Sequence, residues 1–269
     1  MSGVKESPAS ARVALALAHH RAGRLDAAEV IYRDILESDP NDFDGLHLLG
    51  VVAYQRGRYS DAVTLIRRAL VNSSTADAYH HLGEAYRALG DLDQARSACE
   101  TSITLNPSSA ETHNTYGGVW LALKQSEAAI RSFETAIALN PKYAEAHYNL
   151  GILLDEVGKL AGAEERLKRA LELSPEFIQA QLMIAKVHQR QGREAEALIE
   201  LQEVIAIDPT LADAHFSLGH MLQAQGFLND ALECFSAALL ADPEFVEARW
   251  AATVSRLALV SASDASGRP

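Results

Sequence analysis

The sequence predicts an all-α fold, an α-solenoid of seven stacked antiparallel helix pairs followed by one C-terminal helix. Three observations carry this. One slot recurs at 34-residue spacing, held by Ala16, Gly50, Gly83, Gly117, Gly151, Ala185, Gly219 and Thr253, with a single step of 33 between Gly50 and Gly83. Seven residues beyond it stand Gly23, Gly57, Gly90, Lys124, Gly158, Gly192 and Gly226, and twelve beyond it comes an alanine every time, from Ala28 to Ala231. Each period closes on Pro40, Pro107, Pro141, Pro175, Pro209 or Pro243, except that the second closes on Ser74.

Each row has a physical cause. The recurring Gly and Ala are expected to face each other where two helices cross closely, so that a larger side chain overpacks the contact. The second Gly suits a left-handed cap at the end of the first helix. Proline ends the second helix by forcing its predecessor out of the helical region. Apolar residues between these points keep helical spacing, as Leu150, Leu153, Leu154 and Val157 do.

In chain order, residues 1–8 are expected to be disordered. Seven repeats follow, at 9–42, 43–75, 76–109, 110–143, 144–177, 178–211 and 212–245. The third lacks both a preceding proline and one residue, and the sixth departs most, with Ala185 in the glycine slot and His188 in the slot that Tyr86 fills in the third. A capping helix is predicted over 246–259, and the small polar residues of 260–269 read as a disordered tail.

Composition narrows the function classes. A formal charge of −12 lacks the clustered Lys and Arg that a nucleic-acid backbone requires. No apolar run reaches the ~18 residues of a membrane span, and VALALA at 13–18 is too short for a signal peptide and falls in repeat register. Cys99 and Cys234 lie about four repeats apart, too far to pair in a stack that touches only its neighbours. The expectation is a cytoplasmic protein that binds neither nucleic acid nor membrane.

The pattern resembles the tetratricopeptide repeat family, most fully in HYNLG (147–151) with Ala163, Leu167, Ala170 and Pro175, and nearly so in FSLG (216–219) with Ala231, Phe235, Ala238 and Pro243. The resemblance covers residues 9–245 and implies a right-handed superhelix whose first helices line a concave groove for a protein or peptide partner. Runs such as NPKYAEAHYNLG are also similar to the repeat arms of O-linked N-acetylglucosamine transferase-like proteins. That likeness implies, as an alternative, a substrate-recruiting arm whose catalytic part is elsewhere. The asparagine ladder of those arms is reduced here to Asn149. Where a subset of the family clamps acidic tails with Lys, Arg and Asn, this chain has His47, His80, Glu84 and Asn114, which departs from that pattern.

No catalytic or cofactor motif is present, so a non-enzyme is expected, with no cofactor. Among the ten histidines no pair stands at i,i+4 on one helix face and no cysteine joins them, so no metal set is expected either. The candidate sites are surfaces. Positions three before, one after and four after the 34-residue slot are expected to face the groove, giving Tyr54, Arg87, Asn114, Gly118, Leu121, Tyr148, Ile152, Asp155, Lys186, Gln189 and Phe216 as candidates. Gly118, Leu121, Tyr148 and Ile152 are expected to form an apolar centre with a polar rim, the pattern of a peptide anchor. On the last helix Trp250, Val254 and Leu257 fall on one side at i, i+4 and i+7, a candidate docking edge for a partner or for self-association.

Overall fold

The computed structural model describes residues 8–266, which divide between Pro141 and Lys142 into two compact bodies. The N-terminal body holds α1 (Pro8–Arg21), α2 (Leu25–Ser38), α3 (Phe43–Gln55), α4 (Tyr59–Asn72), α5 (Ala76–Leu89), α6 (Leu92–Leu105), α7 (Ala110–Ala122) and α8 (Ser126–Leu139). The C-terminal body holds α9 (Ala144–Glu156), α10 (Leu160–Leu173), α11 (Ile178–Arg190), α12 (Glu194–Ile207), α13 (Ala212–Ala224), α14 (Leu228–Ala241) and α15 (Val246–Ser266). No strand occurs among the described residues. Within each body every odd-numbered helix packs on the next even-numbered one, which packs on the odd helix after it. That is the all-α solenoid arrangement of stacked helix pairs.

The turn inside each pair comes from one left-handed residue. Gly90 has φ +80°, its N–H bonds to the Arg87 carbonyl at 3.0 Å, and the Asp91 N–H reaches back to the Tyr86 carbonyl at 3.0 Å. The same geometry recurs at Lys124, with φ +59°, where the Gln125 N–H reaches the Trp120 carbonyl at 2.9 Å. Lys124 is the one described non-glycine with positive φ, and its Cβ meets the steric cost that glycine escapes.

Between pairs, the residue before the proline is extended, as at Asp39 (φ −140°, ψ 98°), and its side chain accepts the Asn41 N–H at 3.0 Å. Ser73 is extended as well (φ −153°, ψ 127°) although Ser74 replaces proline, and the shorter link is closed by Thr75, whose hydroxyl caps α5 by accepting the Ala78 N–H at 3.2 Å.

The close helix crossing differs in detail from the expectation. The recurring glycine is opposed by the side chain sixteen residues on, and the alanine twelve residues on lies there through its carbonyl. A Cβ added at Gly50 would stand 2.6 Å from Ile66 Cγ1 and 3.3 Å from the Ala62 carbonyl; one at Gly151 would stand 2.7 Å from Leu167 Cγ and 3.4 Å from the Ala163 carbonyl. Both alanines are fully buried, so the crossing is sealed on each side of the glycine.

At the C-terminus α15 continues to Ser266, so the stretch expected to be disordered from 260 is helical that far. The segment ALVSASDAS contains no glycine or proline, and the first breaker is Gly267. Residues 1–7 and 267–269, where disorder was also expected, lie outside the described residues.

Candidate functional site

The outward face of the odd-numbered helices carries the candidate site, and each body presents its own portion. In the N-terminal body α1, α3, α5 and α7 touch in succession and are linked by side chains about one period apart. His20 Nε2 donates to Gln55 Oε1 at 2.9 Å, and His47 Nε2 lies 2.9 Å from His81 Nδ1. Arg87 lies over Gly118, where a Cβ would meet its Cδ and Nε at 3.6 Å, ordinary contact distance. Tyr54 is half-buried beside Tyr59, with ring centroids 5.5 Å apart, and burial raises its hydroxyl pKa. Asn114, Gly118 and Leu121 are half-buried.

Imidazoles dominate this portion. His47, His80 and His81 are each pushed down to about 4, by burial first and then by a neighbouring imidazole. At neutral pH they are uncharged. His80, His81 and Glu84 bring one ligand-type atom each within 4.8 Å of one another, a grouping that histidine spacing alone does not reveal. The signal in the sequence is Glu84 at i+4 from His80, a carboxylate in place of a second imidazole or a thiol.

In the C-terminal body α9 and α11 touch, and Arg190 Nη1 stands 2.6 Å from the Asp155 carboxylate while donating to the Asp155 carbonyl at 2.7 Å. Asp155 is therefore a buried ion-pair partner on this face. Tyr148 is half-buried, packed on Phe177 with ring centroids 4.6 Å apart, and Ile152, Lys186 and Gln189 are half-buried around the same face. Phe216, also half-buried, packs among Phe245, Phe235 and His220, with centroids 4.9, 5.9 and 6.3 Å away. The four residues expected as one apolar centre divide two and two, Gly118 and Leu121 in the N-terminal body, Tyr148 and Ile152 in the C-terminal one.

Away from this face, Glu164 of α10 accepts from Arg193 at 2.7 Å, Lys168 at 2.7 Å, Gln191 at 3.1 Å and His188 at 3.2 Å. Burial alone would raise its carboxyl, but these hydrogen bonds hold it well below the usual carboxylate range. On α15, Trp250 and Leu257 are 70% and 66% exposed and Val254 is 38% exposed, so the apolar stripe of the last helix is on the surface. Among the described residues no helix is long and apolar enough to cross a membrane, and both cysteines are free thiols.

Comparison with known proteins gives this architecture its class. Family models described as tetratricopeptide repeat match residues 9–52, 47–110 and 156–215, and one described as TPR repeat matches 117–158. The chain belongs to the tetratricopeptide repeat family, whose repeats are typically non-catalytic interaction modules. It is similar to TTC0263, a thermophilic TPR protein of Thermus thermophilus, at 25% identity and TM-score 0.60, over 66% of this chain and 98% of that one. A tetratricopeptide repeat protein of Parabacteroides merdae aligns over 92% of this chain and 98% of its own, at 17% identity and TM-score 0.68. YrrB, described as a TPR protein with an unusual peptide-binding site, aligns over 69% of this chain and 96% of its own, at 23% identity and TM-score 0.56. No curated protein matches the chain.

Proposed function

We propose that this protein is a non-catalytic cytoplasmic scaffold that takes an extended or helical segment of a partner protein along the face of its first helices. The observation that carries the reading is the half-buried Tyr148 and Ile152 beside Lys186 and the Asp155–Arg190 ion pair. Apolar surface rimmed by fixed charge suits burial of one or two partner side chains. Leu121 and Gly118 extend the same kind of surface on the N-terminal body. YrrB, similar in fold, carries a described peptide-binding site, and that supports the ligand class.

Replacing Ile152 with Asp is expected to abolish capture of the partner from a lysate of the source cells while helicity by circular dichroism stays unchanged. Unchanged capture would sink the reading. If the captured protein were a sugar-nucleotide transferase, the chain would act as its recruiting arm. The exposed Trp250, Val254 and Leu257 favour a second activity of the same scaffold, association of two copies through α15. Sedimentation of the Leu257→Asp variant tests it: a parent dimer that becomes a monomer supports it, and a monomeric parent refutes it.

A further inference from the structure

We propose that His80, His81 and Glu84 of the N-terminal body bind one divalent transition-metal ion of the zinc type, with His47 orienting His81. Each of these residues offers one ligand atom, and the three atoms lie within 4.8 Å of one another. Ligand atoms about 2 Å from a tetrahedral zinc stand roughly 3.3 Å apart, so closing the set takes side-chain rotations on the order of 1 Å. The His80 Nε2 to Glu84 Oε2 separation, 3.6 Å, is already near that value. It is too long for a hydrogen bond. His80 Nδ1 is buried and has no hydrogen-bond partner.

His81 is held differently. Its Nδ1 lies 2.9 Å from His47 Nε2, and when Nδ1–H is the donor the Nε2 lone pair remains for the ion. That matches the usual support of a ligating imidazole, whose second nitrogen is fixed by a partner. His47 is itself buried and packs on Phe43 with ring centroids 5.5 Å apart, so it is a rigid positioning residue. Asp77 and Glu111 add negative charge near His80. Two imidazoles and one carboxylate suit zinc, cobalt, nickel or copper better than magnesium or calcium, which seek all-oxygen sets. Three protein ligands leave the fourth position to water.

The experiment uses the full chain without a histidine tag, stripped with chelator and titrated calorimetrically with ZnCl₂, with Co²⁺ absorption as the second readout. The expected result is one ion per chain, with the visible spectrum of four-coordinate cobalt. His80→Gln and Glu84→Gln should each weaken binding by about tenfold or more, and His47→Gln by roughly tenfold. A His113→Gln, His215→Gln double variant should leave the affinity unchanged, because those rings bond to the Pro107 and Pro209 carbonyls outside the cluster. Glu84 is partly exposed, so Glu84→Gln serves even where a histidine variant loses helicity. No saturable binding at one ion per chain, or parent-like affinity in both His80→Gln and Glu84→Gln, would overturn the proposal.

Discussion

Two clusters, one in each body, bury polar groups on the same repeat backbone in opposite ways. The N-terminal body keeps His47, His80 and His81 uncharged by enclosing them together, whereas the C-terminal body keeps Glu164 ionised by surrounding it with donors. Neither choice touches the glycines and alanines that set the helix crossings. The repeat therefore constrains packing and turns, while the remaining positions are free to build a neutral imidazole cluster in one place and an ion-pair cluster in another, as Glu29 with Arg33 and Arg58 also does in the N-terminal body.

Acid should separate the two most sharply. Each of the three imidazoles would take up a proton near 6.5 in the unfolded chain but only near 4 in the folded one. Above pH 6.5 both states are neutral at these groups, and their contribution to stability is whole. As pH falls toward 4 the unfolded state binds more protons and stability drops, by up to about 1.4 kcal/mol per pH unit for each ring. The Glu164 carboxyl is depressed from 4.5, so the stability it contributes persists until pH falls below that value. Hydrogen exchange of the metal-free protein, corrected for intrinsic rates, should show α3 and α5 losing protection between pH 6.5 and 4.5 while α10 and α11 keep theirs. The reverse order would break the comparison.

A smaller effect tests the shared packing. Gly117→Ala would place a Cβ 2.5 Å from the buried Phe133 ring and should cost about 1–3 kcal/mol in denaturant unfolding. Its neighbour Gly118 meets only Arg87 at 3.6 Å, so Gly118→Ala should be neutral or stabilising by up to about 1 kcal/mol. The C-terminal body already carries Ala185 in the slot that Gly117 occupies in its own repeat. If Gly117→Ala were as neutral or stabilising as Gly118→Ala, helix propensity rather than the crossing would govern this slot.

The smallest effect lies in the turns. Lys124→Gly should stabilise the N-terminal body by about 1 kcal/mol, because the residue already holds φ +59°. The mirror substitution Gly158→Lys, at φ +78°, should destabilise the C-terminal body by about the same amount, read from thermal melting.

The helix pairs, their turns and their breaks were legible in the sequence because local chemistry dictates them: Gly at positive φ, an extended residue before Pro, Ala in the core. What opposes each glycine was not, since Ile66 and Leu167 reach it only through the tilt of the neighbouring helix. Phe216 reads as groove-facing by spacing alone, and its packing on Phe245 of the following connection could not be read from that spacing. The His80, His81 and Glu84 grouping escaped because a carboxylate among many acidic residues carries no signal until its distance to an imidazole is known. The helical run beyond Leu259 reads as tail because small polar residues resemble linker, although nothing in them stops a helix before Gly267.

Side-chain links between successive first helices also give the repeats an order. Asp155 in the fifth repeat needs the guanidinium that the sixth supplies at Arg190, five residues after its own slot. The corresponding residue of the seventh repeat is Ala224, which offers no donor. Were the sixth and seventh exchanged, the Asp155 carboxylate would face a methyl group. The modules look interchangeable in outline, yet each carries a chemical address for the one that comes next.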